Sequence, residues 1–196
     1  MKRVYFFLIL QVIIQAMGLC QNRYVLSCAK ALVDESRKIL WKQLGVTEST
    51  NRNDGKEVEK YQKVLGLPSG SPYCLAGQYY CFAEAAKQLG LPKTSIPLPA
   101  TGLSTALFRF AKLNGRRSTE FSINDLIIWQ RGRSIYGHTE RIVGLGKKGW
   151  VETIGFNTRR YVNKQNRWVE GVFLWKRNLI HPLGRLNLLG FVGFGD

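Results

Sequence analysis

Cysteine and histidine are the residues of this chain best suited to covalent chemistry, and Cys74 occupies a telling position. Gly70, Ser71 and Pro72 are turn residues, while the Ala, Gln, Glu and Lys content from Cys74 to Leu89, closed by Gly90, predicts a helix. The sulfur then falls in the first helical turn. Unpaired backbone N–H groups and the positive end of the helix dipole both favour a thiolate there. Such a group can attack an acyl carbon. An isolated cysteine in a helix is also a common small core residue, so a basic partner must decide between the two.

Two histidines are present. His138 follows Gly137 at the mouth of a predicted strand, whereas His181 precedes Pro182 in a connection. If Leu145 to Trp150 forms a hairpin centred between Lys147 and Lys148, His138 lies opposite Asn157, and Glu140 opposite Gly155. Directly opposed side chains have Cβ atoms about 5 Å apart, so the Asn157 amide could hold the imidazole in one tautomer. Glu152 falls on the other face by strand parity and reads as a surface charge. An odd number of turn residues would move every side chain to the other face.

The elements that must position these groups follow from the hydrophobic pattern. Tyr24 to Leu44, with Cys28, Leu32, Ile39 and Leu40 on one side, predicts an amphipathic helix. Asp54 followed by Glu57 suggests a capping box for a second helix carrying Val58, Tyr61 and Leu65, ended by Gly66 and Pro68. The Cys74 helix is third. After a Pro- and Thr-rich connection over 90–101, Leu103 to Leu113 predicts a shorter helix stopped by Asn114-Gly115. Strands are expected at Asp125–Gln130, His138–Leu145, Trp150–Phe156, Gly171–Lys176 and Leu186–Phe194. Helices followed by strands define an α+β domain with the helices packed on a mostly antiparallel sheet.

A chain of 196 residues, 45% of them apolar, suits one domain with a real core and excludes disorder. Lys2 and Arg3, the apolar run Val4–Met17, and small residues at Gly18 and Cys20 read as a secretory signal peptide over 1–20, leaving a single domain over 21–196. Export to the periplasm or the outside, without stable membrane insertion after cleavage, is therefore expected. Loss of Lys2 and Arg3 lowers the formal charge from +16 to +14. So basic a surface favours anionic partners, or is simply solvated. For an exported chain, wall polymer and membrane come ahead of nucleic acid, for which no binding motif is visible.

Cys28, Cys74 and Cys81 remain after cleavage. On one helix Cys74 and Cys81 are separated by about 10 Å of rise, beyond a disulfide's reach. If a bridge forms it joins Cys28 to Cys81; three core thiols fit the count equally well. No cofactor is implied, and no short-spaced ligand pair suggests a metal.

Several of these residues together carry a family likeness. Pro72-Tyr73-Cys74 with Cys81, Asp125-Leu126-Ile127-Ile128-Trp129, Gly137-His138-Thr139 and Thr153-Ile154-Gly155-Phe156-Asn157-Thr158 resemble the papain-like NlpC/P60 superfamily. Within it the chain is most similar to the CHAP amidase/endopeptidase branch, over roughly Glu48 to Val192. Asn53-Asp54-Gly55-Lys56-Glu57-Val58 resembles a segment that precedes the cysteine in many such proteins.

The resemblance implies a papain-like fold without a cofactor and a monomeric peptidoglycan hydrolase in which Cys74 attacks an amide, His138 is base then acid, and Asn157 orients His138. The Cys74 N–H would be one oxyanion donor. Tyr73, Trp129, Trp150 and Asn53 are candidates to line a substrate groove, and Arg116, Arg117, Arg159 and Arg160 to meet stem-peptide carboxylates. The chain departs from the family where a Glu often lies two residues before the asparagine, having Gly155, and where a Gly commonly follows His-Thr, having Glu140. The two departures face each other across the predicted hairpin. Either the carboxylate has moved to the neighbouring strand, onto the His138 face, or the site is degenerate and the domain only binds wall. An exported antibacterial amidase is the third reading.

Overall fold

The computed structural model describes residues 22–163 and 166–195; the expected signal peptide lies outside them. Over these residues the chain is α+β, with four α-helices and a seven-stranded mixed sheet. In order these are β1 (Arg23–Leu26), α1 (Lys30–Lys42), α2 (Lys56–Lys63), α3 (Cys74–Gln88), α4 (Ser104–Asn114), β2 (Arg116–Ser118), β3 (Leu126–Gln130), β4 (Gly137–Leu145), β5 (Trp150–Val162), β6 (Arg167–Asn178) and β7 (Asn187–Phe194). The spatial order is β2-β1-β7-β3-β4-β5-β6, antiparallel throughout except for the β1–β7 pair.

Strand alternation divides the apolar residues between the two faces of the sheet. Leu126, Ile128, Val143, Ile154, Phe156 and Val192 meet Leu32, Leu40, Tyr61, Leu75 and Phe82 from the helices in the main core. Ile127, Trp129, Ile142, Val151 and Phe191 point the other way and are covered by Phe121, Leu179, Leu183 and Leu186 from the connections. The sheet is thus covered on both sides.

Two sequence expectations are corrected here. The predicted helix over Tyr24–Leu44 begins only at Lys30, because Arg23–Leu26 is taken up as a strand between β7 and β2. Arg23 fixes it in place, donating to Asp125 through Nε at 2.7 Å and Nη2 at 3.0 Å in a buried two-point pair. The capping box is absent: Asp54 accepts instead from the backbone N–H and hydroxyl of Thr50, and Gly55 precedes α2 without a side-chain cap. Of the two arrangements left open for the cysteines, the structure has the three buried thiols: no disulfide joins Cys28 to Cys81.

The site-bearing helix is set against β5 through Gly77. A Cβ built there would lie 2.2 Å from Phe156 Cδ1 and 2.3 Å from Cγ. Alanine would gain about 1 kcal/mol in helix propensity, but forcing the ring aside costs up to about 3 kcal/mol. A Gly77→Ala variant is therefore expected to lose about 2 kcal/mol net, read as a lower urea midpoint with an unchanged slope.

Candidate active site

Cys74 is the first residue of α3, where the opening N–H groups of the helix have no intrahelical partner. His138 is the second residue of β4. Its ring is in side-chain hydrogen-bonding contact with Cys74. Imidazole Nε2 lies 3.2 Å from Glu140 Oε1, leaving Nδ1 as the nitrogen for the sulfur. Trp129 stacks along the ring with centroids 6.1 Å apart and planes 26° from parallel. Helix, strand and aromatic neighbour together limit the orientations the imidazole can take.

Glu140 is fully buried, which demands compensation for its charge. Arg177 supplies it from β6, with Nη2 2.6 Å from Oε1 and Nε 2.9 Å from Oε2, while the Thr153 hydroxyl donates at 2.5 Å. Burial pushes the Glu140 carboxyl up, but hydrogen bonds and charges from His138 and Arg177 outweigh it and bring it down to about 2. Burial likewise pulls His138 down, yet contact with Cys74 and Glu140 carries it up to about 9. The pair is an ionised carboxylate against an imidazolium in neutral solution.

Glu140 reaches the His138 face by two offsetting irregularities. The β4–β5 turn has three residues between Gly146 and Trp150, with Lys148 and Gly149 left-handed at φ 55° and 77°. Leu145 therefore pairs with Val151, one step away from the even-turn register. A bulge at Val143 then restores it, so that Ile142 pairs with Thr153 and Glu140 with Gly155.

Gly155 leaves room for the carboxylate. A Cβ there would lie 2.8 Å from Glu140 Cγ and 2.7 Å from Thr158 Cγ2. Gly155→Ala is expected to cost about 1–3 kcal/mol through overpacking and to push the carboxylate off His138. In an NMR titration the His138 pKa should then fall from about 9 toward 6.5.

Asn157 is not the residue that holds His138. The ladder between β4 and β5 ends at Glu140–Gly155, and β5 bulges against β6 between Gly155 and Thr158. Asn157 sits in that bulge at φ 56°, a left-handed conformation that asparagine tolerates, and strand parity is lost there. Its amide Nδ2 donates to Asn53 Oδ1 at 2.6 Å and Glu48 Oε1 at 3.3 Å. Glu48, itself buried, also accepts from the Tyr73 hydroxyl at 2.9 Å and the Asn53 backbone N–H at 2.7 Å.

The groove candidates are also redistributed. Tyr73 is fully buried, stacked on Tyr61, and cannot line a groove; Trp129 is buried beneath His138. Asn53 is half-buried and engaged with Asn157 and Gly70. The cleft beside the pair is a cavity of about 290 Å³ lined by His138, Asn157, Arg159, Trp175, Arg177 and Leu183. A larger cavity, about 470 Å³, is lined by Leu145, Trp150 and Lys176 at the turn end of β5, away from Cys74 and His138. Of the basic candidates Arg159 reaches the cleft, whereas Arg116 and Arg117 lie on β2 at the other edge of the sheet.

Thr153, Arg177 and Glu48 escaped the sequence reading. A carboxylate placed beside a histidine on a buried strand requires a cation nearby, and the basic end of β6 was the place to seek it.

Among the described residues no cluster of His, Cys, Asp and Glu could hold a metal ion, and no helix is long and apolar enough to cross a membrane. No protein-family model, curated protein or solved structure matches the chain.

Proposed function

We propose that this chain is an exported cysteine hydrolase of peptidoglycan amide bonds, with the papain-like architecture of the CHAP branch of the NlpC/P60 superfamily. The observation that carries the reading is the Cys74 side chain at the start of α3 in contact with His138, whose far nitrogen faces Glu140. In this reading Cys74 sulfur attacks the amide carbonyl and forms a thioester. The Cys74 backbone N–H stabilises the oxyanion, and His138 delivers its proton to the departing amine. Water, deprotonated by His138, then releases the acid and regenerates the thiol. Glu140 holds the ring and favours the imidazolium, the part first expected of Asn157.

The test is digestion of purified peptidoglycan by the chain lacking residues 1–20, followed by mass spectrometry of the muropeptides. New amino termini matched by new carboxyl groups support the reading, and their position gives the bond cut: free N-terminal alanine marks the sugar–peptide amide. Unchanged peptidoglycan after digestion with folded protein would overturn it.

A further inference from the structure

We infer that Asn157 binds substrate, its side-chain carbonyl oxygen accepting an amide N–H of the bound muropeptide. The orientation of the amide follows from acceptors at each step. Gly70 contributes a backbone carbonyl, which can only accept, so the Asn53 group 3.0 Å from it must be the NH₂. Asn53 then turns Oδ1 to Asn157, and the Asn157 group 2.6 Å away must also be the NH₂. The Glu48 carboxylate on the same nitrogen gives the same answer independently.

Both Asn157 amide protons are thereby used within the protein. Its Oδ1 accepts from no group among the described residues and is not a buried orphan, while Asn157 itself lines the cleft beside His138. Glu140, held by Arg177 and Thr153, already occupies the far nitrogen of the imidazole, so Asn157 has no ring to orient. An acceptor fixed in this way selects ligands that present a donor, as a peptide amide does and an ester does not.

This inference rests on the amidohydrolase reading, and its test separates the two. Asn157→Gly removes the amide while retaining the left-handed backbone that glycine adopts freely. Two readouts are needed. The first is the pH profile of Cys74 alkylation by iodoacetamide, which reports the Cys74–His138 pair without any substrate. The second is the affinity of a disaccharide-tetrapeptide muropeptide for Cys74→Ala protein, with and without Asn157→Gly, together with KM and kcat in the Cys74 background.

The expected result is an unchanged alkylation profile, about tenfold weaker muropeptide binding, and a KM raised about tenfold with kcat little altered. A displaced alkylation profile would show that Asn157 acts through the imidazole and would overturn the assignment. Turnover with unchanged KM and affinity would overturn it while leaving the hydrolase reading intact. A Cys74→Ala protein that binds no muropeptide would overturn both.

Discussion

Glu140→Gln is expected to bring the upper pH limit of hydrolysis down from about 9 toward 6.5 and to lower kcat/KM on the order of 10²- to 10⁴-fold. Burial alone depresses the His138 pKa, and the contacts with Cys74 and Glu140 are what reverse it. Glutamine retains the shape and hydrogen-bonding capacity of the side chain but removes the charge, so burial regains weight. The ring then loses its proton nearer neutrality and cannot protonate the leaving amine above that point. Measuring kcat/KM from pH 5 to 10 checks this; a limb that stays near 9 would mean that Glu140 does not govern the imidazole.

The same pair makes stability depend on pH in both directions. Because the folded His138 pKa lies above 6.5, its contribution is complete below 6.5 and is lost as pH rises through about 9. Because the folded Glu140 pKa lies below 4.5, its contribution is present above 4.5 and is lost as pH falls toward 2. Urea midpoints of the parent should decline at both extremes, and those of Glu140→Gln less steeply.

Cys74→Ala is expected to lose at least ~10⁴-fold of the hydrolytic rate while folding normally, since removal of a nucleophile leaves only the binding and oxyanion contributions. The substitution removes one sulfur from a small side chain and suits a helix, so the stability change should stay within about 1 kcal/mol. Cys28 and Cys81 cannot substitute, because both are buried in the main core and burial pushes the Cys81 thiol up to about 12. Muropeptide turnover and iodoacetamide labelling should disappear together in this variant. Residual turnover near the parental rate would place the chemistry elsewhere.

The parts of the fold legible in the sequence were those with local signals. The Pro72–Cys74 junction announced α3, and apolar runs between glycines and basic turns announced β3 through β7. β1 was hidden because the alternation in Arg23–Leu26 merged with the apolar pattern of the following helix, and its pairing with β7 depends on a segment far along the chain. β2, three residues with two arginines, has no apolar signature at all. The pairing of Glu140 with Gly155 was anticipated, although from an even turn without a bulge; two deviations of one residue cancelled. No such cancellation protected the Asn157 assignment, since its bulge against β6 and left-handed backbone are set by tertiary packing.

The Lys147–Gly149 turn and the bulge at Val143 each hold one residue that the ladder does not pair. Removing one residue of the turn would leave Gly146 opposite Trp150 across a two-residue connection, with His138 and Glu140 on the face they now occupy. Deleting Val143 would likewise leave Ile142 opposite Thr153 and Glu140 opposite Gly155. Loss of a paired residue such as Arg141 would instead turn Glu140 and His138 toward the helices, so this hairpin tolerates changes in length at those two places and nowhere between Ile142 and the site.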